Sequence, residues 1–309
     1  VKQIIIDCDA GVDDALALIL AFHSPELNVL GVTGVSGNVS VDKVMVNIKK
    51  VLSLIAPPGR PLIARGADRP LRGEPVYAET FHGKDGLGGA KIEAGDGGEY
   101  WETYPGPAGE LIPEMVRRHP GEITLVAIGP LTNIALALQK DSDGMRRLKE
   151  IVIMGGAVRE KGNITASAEF NFFVDPLAAR IVLESGIPAT LVPLDATHQI
   201  PLTPGFMETR IAPLAGLFSW FVLQATGFNP RDKQFRRRRE VFYLHDPLAV
   251  GAVIDTGLVR KERLSISVET REGNDYGRSF ESPTGAPADV CLGAEREKFL
   301  ELFVSRLEV

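Results

Sequence analysis

The sequence predicts an α/β protein whose mostly parallel central sheet is flanked by helices. Two observations carry this. Short, nearly continuous apolar runs recur along the chain, as in strands buried on both faces. Between them lie stretches with apolar residues at helical spacing. A length of 309 residues suits one large α/β unit, and no internal repeat or low-complexity linker divides it. Residues 1–309 are therefore read as a single domain.

The first strand is read at residues 3–7, where Ile4, Ile5 and Ile6 are consecutive β-branched residues. Residues 28–35, 123–128, 151–154 and 189–194 supply further core strands. The intervening helices are expected at residues 11–22, 41–54, 106–119, 130–139 and 176–185. Residues 264–270 alternate apolar and polar, which predicts an antiparallel or edge strand. Residues 294–307 read as a terminal helix. Two segments lack a period. Residues 65–101 are Gly-rich and long enough to be a functional loop. Residues 229–243 contain four arginines at 236–239, read as a solvated surface, with a subunit contact or anion site as the other readings.

A hydrophobic fraction of 44% and a charged fraction of 24% are ordinary for a globular protein. The net charge of −6 argues against nucleic-acid binding through bulk charge. No apolar run approaches the roughly 18 residues of a membrane span. Cys8 and Cys291 make no disulfide framework and read as buried thiols. The first residues enter a strand with no leader to read, so a cytoplasmic protein is expected.

The chemistry concentrates where the first strand meets the first helix. Asp7, Asp9, Asp13 and Asp14 place four carboxylates in eight positions. Capping and first-turn charge explain one or two of them. Four repel one another unless a cation joins them, so a hard divalent cation is expected there. Asp7 and Asp9 leave the strand on one face. Asp13 and Asp14 point about 100° apart on a helix, so one can face a metal and the other a ligand. Gly11 is read as the residue that permits the tight turn.

Polar clusters recur after other strands: Ser36-Gly37-Asn38, Gly129-Pro130-Leu131-Thr132-Asn133 and Met154-Gly155-Gly156. Ligands of open α/β sheets bind outside the carboxyl ends of the strands, so one shared pocket is expected. Asn163, Glu169 and Asn171 offer groups suited to vicinal hydroxyls, as on a sugar. His245 and Asp246 precede a helix, where Asp246 either caps it ahead of Pro247 or binds metal. His82 lies in a loop, where a lone His is more often exposed than catalytic.

These segments together resemble the inosine-uridine preferring nucleoside hydrolases. DCDAGVDDALAL matches the DxDxxxDD signature of that family. SGN near 38, HGKDGL near 82, GPLTNIA near 130, MGGA near 155, GNITASAEFN near 163 and HDPLA near 245 follow in the family's order across nearly the whole chain. The resemblance implies an open Rossmann-like nucleoside hydrolase fold and calcium-dependent cleavage of the N-glycosidic bond of ribonucleosides, purine or pyrimidine, to base and ribose. It implies Ca2+ held by Asp9, Asp14, Asp246 and the Ile128 carbonyl, with Asp7 in support. It implies ribose held by Asp13, Asn38, Asn163, Glu169, Asn171 and Asp246, with Met154 lining the pocket. Homodimers or homotetramers are implied as well, with a small ribonucleoside as partner and neither nucleic acid nor membrane.

The physical reading agrees. Cleavage builds oxocarbenium-like positive charge on the sugar, which surrounding anions stabilise. Calcium accepts flexible oxygen ligation and lowers the pKa of a bound water, whose proton a carboxylate takes. Asp9 is the expected base. The resemblance implies that His245 is placed for the leaving group, with His82 as a second contact. Departures from the family pattern are Cys8 and Ala10, where Thr and Pro are commoner, and RRRREVFYL before His245, where Gly-rich sequence is frequent. The latter leaves base preference open, with Phe242 or Tyr243 stacking on the base or packing in the core.

Two other readings compete. A haloacid-dehalogenase-like phosphatase would use Asp7 as nucleophile and magnesium, leaving Asp13, Asp14 and GNITASAEFN unexplained. A calcium-dependent nucleoside- or ribose-binding protein would need neither Asp9 nor His245.

Overall fold

The computed structural model describes residues 1–92, 100–228 and 241–308; the arginines at 236–239 lie outside them. Strand β1 (Lys2–Cys8) sets the two-faced core. Ile4 and Ile6 enter one apolar cluster with Leu16, Ile19 and Leu20. Ile5 enters the other with Leu111, Ile112 and Val116. All three isoleucines are fully buried, each contributing about 1.5–3 kcal/mol. The alternation of one strand between two cores is why its middle residues, Ile4 to Ile6, are consecutively apolar.

The other strands are β2 (Leu27–Gly34), β3 (Leu62–Arg65), β4 (Glu102–Thr103), β5 (Ile123–Ala127), β6 (Glu150–Met154), β7 (Ala189–Val192), β8 (Pro201–Leu202), β9 (Phe242–Tyr243), β10 (Val259–Val268), β11 (Ser279–Glu281) and β12 (Ala286–Ala294). Ten form one sheet in the order β11-β10-β12-β7-β6-β5-β1-β2-β3-β4, while β8 and β9 pair separately. From β12 through β4 the neighbours are parallel; β10 is antiparallel to both β11 and β12. The chain runs outward from β1 to β4 and then returns to β5 on the other side of β1. The gap between the carboxyl ends of β1 and β5 is thus a topological switch point, where such sheets bind ligands.

The expected core strands and their helices form, the latter at Val12–Phe22, Val41–Ile55, Ala108–Arg118, Thr132–Lys140 and Pro176–Leu183. The C-terminal region differs. The alternating stretch belongs to the longer β10, which lies inside the sheet, with β11 at its edge. The closing helix starts only at Arg296, because Ala286–Ala294 is drawn into the sheet between β10 and β7. Strands as short as β3, β4 and β11 carry too few residues to show a period.

Candidate active site

β1 delivers its acids to the switch point, where they have different jobs. Asp7 is wholly buried. Its Oδ1 accepts from the Thr33 hydroxyl and from Asn133 Nδ2, the latter at 2.8 Å. Like Asp9 and Asp14 it does not line the cavity, and its Oδ1 is taken up by Thr33 and Asn133. Asp9 accepts from the Asn38 backbone N–H through Oδ2 at 2.7 Å, while its Oδ1 has no partner.

The turn after β1 corrects the expectation about Gly11. Ala10 carries the left-handed backbone, at φ 41°, and Gly11 is extended at φ −77°. Gly11 is needed for space. A Cβ there would lie 2.5 Å from Asn38 Nδ2 and 2.8 Å from His82 Nδ1.

Asp14 is held by the turn. Its carboxylate accepts from the backbone N–H of Asp9 at 3.1 Å and of Gly11 at 2.8 Å, and from Asn38 Nδ2 at 3.1 Å. Asp13, one residue earlier, points another way, into the cavity, and its Oδ1 is unpartnered. Asp246 arrives from the helix His245–Ile254. Leu244 stands at the cap of that helix and Asp246 in its first turn, so Asp246 does not cap it; its carboxyl lies against that of Asp13. Carboxylate oxygens of Asp13, Asp14 and Asp246 lie within 4.8 Å of one another. Asp9 is placed beside this group through Asn38 and the Asp14 contact.

Burial raises all these carboxyls. It pushes Asp13 up to about 8, with the Asp14 charge adding to it, and Asp7 to about 7. Burial followed by the Asp14 charge moves Asp9 well upward; burial followed by the Asp13 charge does so for Asp246. Without a counter-charge these acids would hold protons at neutral pH. Buried, unpartnered oxygens on three of the chain's first acids, Asp7, Asp9 and Asp13, fit a hard divalent cation better than any arrangement of the protein's own donors.

A cavity of about 450 Å³ opens beside the acids. Its lining includes Asp13, Asn38, Met154, Asn163, Glu169 and Asn171. Glu169 caps the helix Phe170–Val174, accepting from the N–H groups of Gly156, Asn171 and Phe172 at 2.9, 2.8 and 3.1 Å. Burial still raises it to about 7. Asn171 Nδ2 donates to the Ile128 carbonyl at 3.1 Å and the Met154 carbonyl at 3.2 Å, tying β5 to β6. Asn163 is exposed, and its Oδ1 accepts from the Phe170 N–H at 2.9 Å.

Histidines line the same cavity, His82 with its Nδ1 3.9 Å from Asp13 Oδ1. His82 is buried on the short helix Glu79–His82, contrary to the exposed loop position expected for it. Its Nδ1 accepts from the Val12 backbone N–H at 3.1 Å. A backbone N–H can only donate, so the neutral ring carries its hydrogen on Nε2. Burial lowers His82 to about 4. His245 contacts the Thr197 hydroxyl through Nδ1 at 2.7 Å, and burial followed by the charges of His198 and His82 lowers it to about 3. Tyr243 lines the cavity, 4.8 Å from His198 between ring centres. Phe242 stacks instead on Phe81 at 5.8 Å.

Thr197, His198, Tyr77, Phe81, Ile164 and Phe170 were not singled out by sequence reasoning. Thr197 and His198 follow the carboxyl end of β7, and that position was the usable signal.

The model of the family described as inosine-uridine preferring nucleoside hydrolase matches residues 4–301. A pyrimidine-specific ribonucleoside hydrolase of Shewanella sp. (strain ANA-3) is 37% identical over 100% of this chain and 96% of that protein. The inosine-uridine preferring nucleoside hydrolase of Crithidia fasciculata is 36% identical over 99% of this chain and 98% of its own. A solved plant nucleoside hydrolase superposes with a TM-score of 0.90 at 30% identity, covering 100% of this chain and 99% of that one.

Proposed function

Because this chain belongs to the inosine-uridine preferring nucleoside hydrolase family and is a hydrolase of ribonucleoside N-glycosidic bonds, we propose the following division of labour in its cavity. Asp9, Asp14, Asp246 and the Ile128 carbonyl hold Ca2+, with Asp13 at the edge of the same group. Calcium, when bound, supplies the positive charge that keeps these acids ionised and engages ribose hydroxyls and water. The observation that carries this reading is the crowding of buried carboxylates, with oxygens of Asp13, Asp14 and Asp246 within 4.8 Å of one another and Asp9 hydrogen-bonded to the same turn.

Asp9 takes the proton of the attacking water; its free Oδ1 supports that role. Asp13, Asn38, Asn163, Glu169, Asn171 and Asp246 hold ribose. Their negative charge stabilises the sugar as it becomes cationic. Met154 closes the floor. His245 assists the departing base, with His82 as a second contact; both line the cavity. A neutral imidazole acts there as a hydrogen-bond donor to the charge that develops on the base.

The two relatives differ in their named base preference, so the substrate is proposed only as a ribonucleoside, purine or pyrimidine. The protein is proposed to be a cytoplasmic homodimer or homotetramer. Among the described residues no helix is long and apolar enough to cross a membrane. A panel of inosine, adenosine, guanosine, uridine and cytidine, scored by ribose release with and without chelator, tests the whole reading. Release from at least one nucleoside, lost on chelation and restored by calcium, is expected. Full activity after exhaustive chelation, or in Asp14→Ala, would refute the metal assignment.

A further inference from the structure

Two of the cavity imidazoles, His82 and His245, are oriented by unrelated devices. For His82 the device is the Val12 backbone N–H, which makes Nδ1 an acceptor. For His245 it is a side chain, Thr197, at 2.7 Å from Nδ1. Thr197 is fully buried and ends the short helix Leu194–Thr197, just past the carboxyl end of β7. Its own backbone N–H is held by the Pro193 carbonyl at 3.2 Å, so the hydroxyl is delivered from a fixed turn.

A hydroxyl can donate or accept. Among the described residues the Thr197 hydroxyl has no hydrogen-bond partner except His245 Nδ1. If Nδ1–H donated to it, the hydroxyl hydrogen would be buried without an acceptor, a costly arrangement. If the hydroxyl donates, both groups are satisfied. The ring nitrogen that makes the fixed bond decides which one carries the hydrogen. The rings of His198 and Tyr243, each 5.7 Å from His245 between centres, flank the imidazole.

We propose that Thr197 is a positioning residue for leaving-group departure: its hydroxyl donates to Nδ1 of His245 and holds the tautomer whose Nε2–H is offered to the base. This rests on the ribonucleoside-hydrolysis reading of the cavity. The ligand group addressed is an acceptor nitrogen or oxygen of the departing nucleobase. No proton changes hands in the positioning itself. Thr197 acts only by presenting His245 as a donor and not as an acceptor.

The test compares wild type, Thr197→Val and Thr197→Ser on uridine, inosine and p-nitrophenyl riboside, whose leaving group needs little assistance. Thr197→Val keeps the side chain's shape and removes the donor. It should lower kcat on the responsive nucleoside by about 10–100-fold, the usual span for a group orienting a working His. KM should change little, and p-nitrophenyl riboside should be cleaved almost normally. Thr197→Ser should restore most of the nucleoside activity. Wild-type kcat in Thr197→Val, or an equal loss on both substrate types, would overturn the proposal.

A second readout does not depend on activity. With only five histidines in the chain, nitrogen-15 spectra of histidine-labelled protein, assigned with His245→Ala, report which ring nitrogen of His245 carries the hydrogen. Nε2–H in wild type and a mixed population in Thr197→Val are expected. Nδ1–H in wild type would overturn the proposal even if the protein hydrolyses nucleosides. A wild type that releases no ribose would instead overturn the functional reading, and the spectra would still decide the tautomer.

Discussion

On the proposed reading, His245 and Asp246, neighbours in sequence, serve different parts of one substrate. The backbone that carries the acid proposed as a metal ligand also fixes the imidazole. His245→Ala should therefore leave substrate binding largely intact and lower turnover by about 10²–10⁴-fold, the span for loss of acid-base assistance. Because the assistance matters mainly in the transition state, p-nitrophenyl riboside should escape the defect. An equal slowing of both substrates would assign His245 to packing. On the sugar side, Asp13 and the neighbouring amides are arranged for hydroxyls. Uridine should exceed deoxyuridine in kcat/KM by orders of magnitude, since a buried polar site left unpaired rejects the analogue. Equal efficiencies would remove the ribose assignment.

The decisive element is the turn from β1 into the helix Val12–Phe22. In six residues it passes Asp9, left-handed Ala10, Gly11, Asp13 and Asp14. It is crowded from outside as well, by Asn38 and His82. Gly11→Ala should cost about 1–3 kcal/mol as an overpacked site and should displace Asn38 or His82, lowering activity beyond the loss in stability. Gly59→Ala is the control, because nothing lies within 4 Å of the Cβ it would add. Thermal denaturation and kcat/KM of the two variants check this; indistinguishable variants would contradict it. The helix His245–Ile254 makes the complementary point. Asp246 reads equally well as a cap or a ligand until Leu244 is seen to occupy the cap position.

For the whole molecule, the acid cluster couples metal, protons and stability. Without metal, Asp13 is raised from 3.8 to about 8 by burial and by Asp14. The folded state then holds this proton more tightly than the unfolded chain. The stability it contributes is complete below pH 3.8 and is lost as pH rises through about 8. His82 and His245, lowered from 6.5 to about 4 and about 3, work oppositely: their contribution is present above 6.5 and lost as pH falls. About one unit above 6.5 both histidines are largely neutral in either state, and the carboxylates dominate. Chelator-treated protein should lose Tm between pH 6.5 and 8, and Asp13→Asn should lose less. Added calcium should raise Tm, more at pH 8 than at 6.5, because the ligands must be deprotonated to bind it. A Tm indifferent to calcium at both pH values would contradict the metal site.

The class of fold, the acid-rich turn and the order of motifs were legible because they are local. A buried strand must be apolar, and four acids in eight residues need a counter-charge wherever the turn lies. The reversal of strand order beside β1 was not legible, since it depends on which strands pair across more than a hundred residues. Nor was the difference between Asp7, held behind Thr33 and Asn133, and Asp13, which reaches the cavity. His82 reads as a loop histidine until the helix N-terminus at Val12 is packed against it. Thr197 is one residue in an ordinary turn until β7 brings it to the edge where His245 stands. Residue types and their local spacing determine what chemistry is available. Burial and pairing between distant segments decide which atoms are left without partners, and those atoms mark the site.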